Sequence, residues 1–273
     1  MTILRKKMPD VQNVVAGGTA WLDVPLGMTY TKFFVELGGT TFTRAHIPRV
    51  RALINGKPFM RDIPAAYIQG MNLYRASKDD ASLWIIDFEE PRSRLMQDQL
   101  ALGVGTATGV DTFKLEFDIL GTAVAPTMRV WADQVGPRPL GLLPAVTIER
   151  TDYTSTGTKQ LKFPYTKEAG HILRRIHLVK SAGLAFTSVT LEKNGIPVSD
   201  RVPPTLMNFA QEHYEGVPQT DWYTIDFIED NNTIVNLLPT EDGVPYLNIE
   251  VSAAGHLDII YEMASRLESI AGV

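Results

Sequence analysis

The segment SLWIIDFEE at residues 82–90 returns as DWYTIDFIED at 221–230, which places Asp87 and Asp226 139 positions apart. Trp84, Ile86 and Phe88 alternate along the first segment, as do Tyr223, Ile225 and Phe227 along the second. Aromatic and β-branched residues at period 2 form the pattern of a strand with one buried face. Asp87 and Asp226 then lie on the opposite face of that strand, at the same step. Both Phe88 and Phe227 are expected to face a core.

Further matches keep the spacing. INGKPFMRDIP (54–64) aligns with KNGIPVSDRVP (193–203), pairing Asn55 with Asn194, Gly56 with Gly195, Pro58 with Pro197 and Pro64 with Pro203 at 139. FKLEF (113–117) matches LNIEV (247–251) at 134, as though the second copy had lost five residues from a loop. Three matches in one order, with a single loop-sized shift, indicate an internal duplication whose period is the length of a domain. The 273 residues then divide into two ordinary domains. Each is long enough to bury roughly 70% of its unfolded surface.

The pattern is mostly β. Strands are expected at 19–25, 30–37, 49–54, 83–88, 111–119 and 127–133 in the first half. In the second half they are expected at 158–164, 171–179, 187–193, 222–228, 233–238, 246–251 and 257–263. Asn55-Gly56 and Asn194-Gly195 supply the residues that a tight hairpin turn needs at φ > 0. Each half has one short helical candidate at the equivalent place, 63–74 and 203–214, with a proline suited to a first turn. About eight strands and one short helix per half is the inventory of a jelly roll. The fold class read here is all-β, two tandem eight-stranded jelly-roll barrels with short helices in loops. The expected organisation is an N-terminal jelly roll over 1–136, a linker over 137–157 centred on a proline- and glycine-rich stretch, and a C-terminal jelly roll over 158–273.

Composition removes several classes of function. The chain has no cysteine, so disulfides and thiolate metal sites are excluded. A net charge of −5 argues against a nucleic-acid coat. No apolar run reaches the about 18 residues of a membrane-spanning helix, and MTILRKKMPDVQNV lacks the apolar core of a secretory signal. Its Arg5-Lys6-Lys7 cluster reads as a solvated tail.

No reactive constellation stands out. A two-domain cupin enzyme would need closely spaced histidines with a carboxylate. His46, His171, His177, His213 and His256 are scattered, and His171 and His177, six apart on one strand, lie about 20 Å from each other. These two read as polar residues at a sheet surface. The G-x-S-x-G elbow of serine hydrolases is absent. GVGTATG (103–109) precedes a strand rather than a helix, so it reads as a flexible turn and not a phosphate loop. Asp79-Asp80, Glu89-Glu90, Glu229-Asp230 and Glu241-Asp242 lack the spacing of a calcium loop and read as solvated charge. Asn231-Asn232-Thr233 fits a glycosylation sequon. No catalytic, cofactor-binding or metal-ligating residue is therefore assigned, and the chain is read as a non-enzyme.

Three stretches resemble a known family in order and across nearly the whole chain. NVVAGGTAWLDVPLGMTYTKFFVELGG (13–39), WYTIDFIED (222–230) and YLNIEVSAAGHLDIIYEM (246–263) resemble the major capsid proteins of the corticoviruses, icosahedral bacteriophages with an internal membrane. The resemblance implies a double jelly roll, with three chains forming a six-barrel homotrimer that tiles the shell. It implies a place in the virion after assembly in the host cytoplasm. Implied partners are other copies of the chain, penton or spike proteins and membrane-associated capsid proteins, with no direct nucleic-acid binding. It also raises an expectation of calcium between subunits, with no ligands assigned. The alternative is a carbohydrate- or receptor-binding β module such as a phage spike, which would expose an aromatic platform. Trp21, Trp84, Trp131 and Trp222 all fall within expected strands and read as core.

Overall fold

The computed structural model describes residues 3–80, 82–90, 92–93, 99–163, 170–230, 238–240 and 245–270. The chain forms two compact units, Met1–Thr147 with Ser265–Val273, and Ile148–Ala264.

The first unit contains β1 (Leu4–Lys7), β2 (Thr19–Asp23), β3 (Thr29–Gly38), β4 (Arg49–Ile54), β5 (Lys57–Ile63), α1 (Ala65–Tyr74), β6 (Leu83–Asp87), β7 (Val104–Gly105), β8 (Phe113–Asp118) and β9 (Thr127–Val135). β10 (Leu143–Tyr153) crosses the boundary. The second unit continues with β11 (Gly157–Lys162), β12 (His171–Lys180), β13 (Ala185–Lys193), β14 (Ile196–Val202), α2 (Pro204–His213), β15 (Trp222–Asp226), β16 (Leu238–Pro239), β17 (Pro245–Ala253) and β18 (Gly255–Ser265).

In the first unit one sheet runs β1-β9-β3-β6, with β7 also on β3, and the other runs β10-β5-β4-β8-β2. Their inner faces meet through aromatic side chains. Phe33 packs edge-on against Phe113 at 5.8 Å, Phe59 against Phe88 at 5.9 Å, and Trp84 against Phe117 at 6.3 Å. In the second unit β15-β12-β18-β10, with β16 on β12, faces β11-β17-β13-β14, and Phe186 meets Tyr223 at 5.5 Å. The buried alternation that defines each inner face is uninterrupted in β8 and runs from Pro245 to Val251 in β17.

Backbone geometry repeats residue by residue. The β4–β5 and β13–β14 hairpins close with two-residue turns whose central residues are all left-handed, Asn55 at φ 50° and Gly56 at 76°, Asn194 at 54° and Gly195 at 78°. The ladders carry the same irregularities, between Val50, Ala52 and Leu53 in one and Val189, Leu191 and Glu192 in the other. Asp62 and Arg201 take positive φ at matching positions of β5 and β14. Ala76 (φ 61°) and Glu215 (φ 65°) do so just beyond the two helices, where Ser77 N–H donates to Asn72 O and Gly216 N–H to Gln211 O. All of these pairs are 139 apart.

The third sequence match needs a different offset. Ile54 faces Phe113 and Lys193 faces Pro245, so Phe113 corresponds to Pro245 and the offset is 132, not 134. Seven residues, not five, separate the copies here. Two side chains confirm it independently: Thr19 Oγ1 donates to Asp118 at 2.8 Å, and Thr158 Oγ1 to Glu250 at 2.6 Å. A slip of two leaves a period-2 pattern unchanged, so apolar alternation could not distinguish the alternatives.

Three sequence readings of the backbone change. Leu4–Lys7 is not a free tail but pairs along β9, with Arg5 bonding Asp133 through two contacts of 2.8 Å. Residues 137–157, read as a linker, hold β10, where Arg150 binds Asp258 at 2.6 and 2.8 Å. GVGTATG is not a flexible turn: Val104–Gly105 pairs with Thr29–Tyr30, and Ala107 N–H donates to Arg138 O. Most of the strand expected at 233–238 lies outside the described residues, as do the sequon and Glu241-Asp242.

At Gly105 a Cβ would stand 2.3 Å from Pro139 O and 2.7 Å from Arg138 O. Gly105→Ala is therefore expected to lower stability by about 1–3 kcal/mol, the usual effect of overpacking. Chemical denaturation checks this, with Gly56→Ala, where no heavy atom crowds the site, separating contact from turn strain.

Candidate functional site

The repeated acid is an anchor in both copies. Asp87 Oδ1 accepts the Glu89 N–H at 2.9 Å, and Asp226 Oδ1 accepts the Ile228 N–H at 3.0 Å. Each carboxylate thus closes the turn that ends its strand. The other oxygen takes a base from the neighbouring strand: Lys32 Nζ at 3.4 Å from Asp87, Arg175 Nε at 2.8 Å from Asp226. Lys32 faces Asp87 across β3–β6 as Arg175 faces Asp226 across β12–β15.

The helices dock on those strands by one repeated bond. Asn72 Nδ2 donates to Ile85 O at 2.6 Å, and Gln211 Nε2 donates to Thr224 O at 2.5 Å. Donor and acceptor are each 139 apart between copies. A strand carbonyl is satisfied by a helix side chain in each unit, which fixes α1 over β6 and α2 over β15.

Around this shared frame the electrostatics diverge. Burial pushes the Asp87 carboxyl up, while the charges of Lys32 and Arg75 oppose the shift. Burial alone would lower the Lys32 pKa, but Asp87 and Glu89 outweigh it and the net shift is upward. Lys32 also holds Glu89 at 2.9 Å and is about a fifth exposed, 21%. Arg175 is completely enclosed. Its Nη1 reaches Glu262 at 3.3 Å, and Glu262 lies 2.8 Å from His177 Nε2, whose other ring nitrogen lies 2.8 Å from Thr224 Oγ1.

These contacts correct the reading of His171 and His177 as surface residues, since both are buried. β12 is buried at every residue from Leu173 to Val179, so both of its faces are covered. Some acid pairs are also more than solvated charge. Glu90 is buried, and Asp79 pairs with Arg44 at 2.7 Å. Asp80 accepts from the Ser82 and Leu83 N–H groups, which hold its carboxyl below the usual range. Trp84 is core, whereas Trp21, Trp131 and Trp222 are only partly buried. Phe88 is enclosed, but Phe227 is only partly buried although its N–H bonds Arg174 O as Phe88 N–H bonds Thr31 O.

Among the described residues no group of three or more His, Asp or Glu side chains converges as metal ligands. The anchors on these strands are satisfied internally. What they present is architecture: two matching strand–helix frames on two barrels.

Comparison with known proteins places this architecture. Residues 5–136 match the family described as viral coat protein P2, N-terminal domain, and residues 146–267 match the viral coat protein P2 C-terminal domain. The chain is 24% identical over 239 residues to major capsid protein P2 of Pseudoalteromonas phage PM2, covering 84% of each chain. The crystal structure of that PM2 protein is similar with a TM-score of 0.90 at 20% identity, over 99% of this chain and 100% of the other. The major capsid protein of STIV, Sulfolobus turreted icosahedral virus, is similar with a TM-score of 0.70 at 13% identity, over 97% of each chain. These neighbours share the double jelly-roll fold.

Proposed function

Because the chain belongs to the viral coat protein P2 family and is a bacteriophage major capsid protein, a structural protein and not an enzyme, we propose that it forms its shell as homotrimeric capsomers around an internal membrane. Self-assembly into a virion capsid comes with the family. The observation that supports the trimer is the duplication itself. Two barrels with the same turns, bulges and helix anchors can occupy equivalent positions, and three chains of two barrels give a nearly six-fold outline from a three-fold object. Such a block tiles a flat icosahedral facet.

The acidic chain suits a shell separated from its genome by a membrane, with no phosphates to neutralise. Assembly in the host cytoplasm fits a protein without cysteine. Penton or spike proteins and membrane-associated capsid proteins would complete the particle. The spike alternative is not favoured, since both halves of the chain match the coat-protein family.

Light scattering on capsomers released from the shell is expected to give three times the 30.3 kDa chain mass. A stable monomer, or a species of six chains with no three-chain unit, would refute the trimer.

A further inference from the structure

The two copies differ at the edge of one sheet. In the first unit β5 is an inner strand, with β4 on one side and β10 running parallel on the other at Val146 and Met60. In the second unit its counterpart β14 ends its sheet, with β13 its only neighbour among the described strands. Phe59 is 1% exposed against Phe88, whereas the matching Val198 is 58% exposed. On the helices, Gly70 of α1 corresponds to Phe209 of α2, which is 69% exposed. Leu206 of α2 and Ile196 of β14 are exposed as well. A groove lined by Val198, Val202, Leu206, Met207, Ala210 and Phe227 runs between them. An open edge flanked by apolar side chains is a liability unless something covers it.

We propose that β14 and α2 form the docking surface for the first unit of a second copy of this chain, whose strand β1 covers the β14 edge as β10 covers the edge of β5. This rests on the trimeric reading above. The occupant follows from the duplication. β1 beside β9 and β10 beside β18 occupy matching places in their sheets, each held to its neighbour by a two-bonded pair, Arg5 to Asp133 and Arg150 to Asp258. The residue of β10 paired with β5, Val146, comes four residues before its Arg150. Just before Arg5 stand Ile3 and Leu4, exposed apolar residues at the start of an otherwise basic strand. The second copy thus brings apolar side chains to an apolar edge that lacks a strand.

The test uses the full chain in two variants, Val198→Glu with Phe209→Glu, and Ile3→Glu with Leu4→Glu. All four residues are exposed in the single chain, so its circular-dichroism spectrum is expected to match the wild type. Each variant is expected to scatter light at one chain mass, 30.3 kDa, where the wild type gives three. Val124→Glu, an exposed apolar residue elsewhere on the first unit, is expected to remain trimeric. A trimeric wild type with both variants also trimeric would overturn the docking surface and leave the trimer standing. Loss of trimer in only the first variant would overturn β1 as the occupant. A wild type that never forms trimers would overturn the trimeric reading, and the docking surface with it.

Discussion

Asp226→Ala is expected to destabilise the protein by about 3–5 kcal/mol, the usual cost of stranding a buried charge. Arg175 is fully enclosed, and Asp226 takes its Nε at 2.8 Å while also closing the turn at Ile228. Removing the carboxylate takes from Arg175 its 2.8 Å partner, and its contact to Glu262 is longer, 3.3 Å, and shared with His177. Asp87→Ala, its counterpart, is expected to cost about 1–3 kcal/mol. Lys32 keeps Glu89 and some access to water. Chemical denaturation of both variants checks this. Equal losses would mean that enclosure of the base is not what sets the difference. Replacing both partners, Arg175→Met with Asp226→Leu, is expected to recover part of the loss, since the guanidinium is then no longer stranded while the buried Glu262 keeps His177.

The second large effect lies on the inner face. Phe88→Ala is expected to cost about 3–5 kcal/mol, the range for a buried aromatic whose cavity cannot collapse. Phe33 and Phe59 both pack against its ring, at 6.0 and 5.9 Å. The matching Phe227→Ala is expected to cost only about 1–2 kcal/mol in the single chain, because half-buried area yields proportionally less. The ratio of the two losses in thermal or denaturant unfolding is the measurement. A Phe227 loss as large as that of Phe88 would show that the groove beside it is closed in solution.

The duplication was legible where side chains were doing backbone work. Asn55-Gly56 and Asn194-Gly195 announce turns that need left-handed residues, and those turns formed as read. The equal acids Asp87 and Asp226 announced an equal role, but their bases did not, since Lys32 and Arg175 differ in type and in spacing. The left-handed helix ends were silent, because Ala76 and Glu215 stand where glycine is the usual signal.

What escaped sequence reading has three physical origins. Charged outer strands such as β1 show no apolar alternation, and their pairing is carried by the backbone and by Arg–Asp bonds. β12 alternates little because both faces are covered, so Arg175 and His177 look like surface residues until Asp226 and Glu262 are placed beside them. Phe227 follows the pattern of Phe88, yet Val198 replaces Phe59 across from it and the matching space stays open. In each case a neighbour distant in sequence decides the outcome.

One chain is expected to supply two equivalent barrels to a shell built in threes. An image reconstruction of the purified virion tests it most directly. The expected result is facets tiled by capsomers of nearly hexagonal outline, each holding three copies of this chain and six barrels about a three-fold axis. Density for this chain confined to projections at the vertices, or facets tiled by true six-chain hexamers, would contradict it.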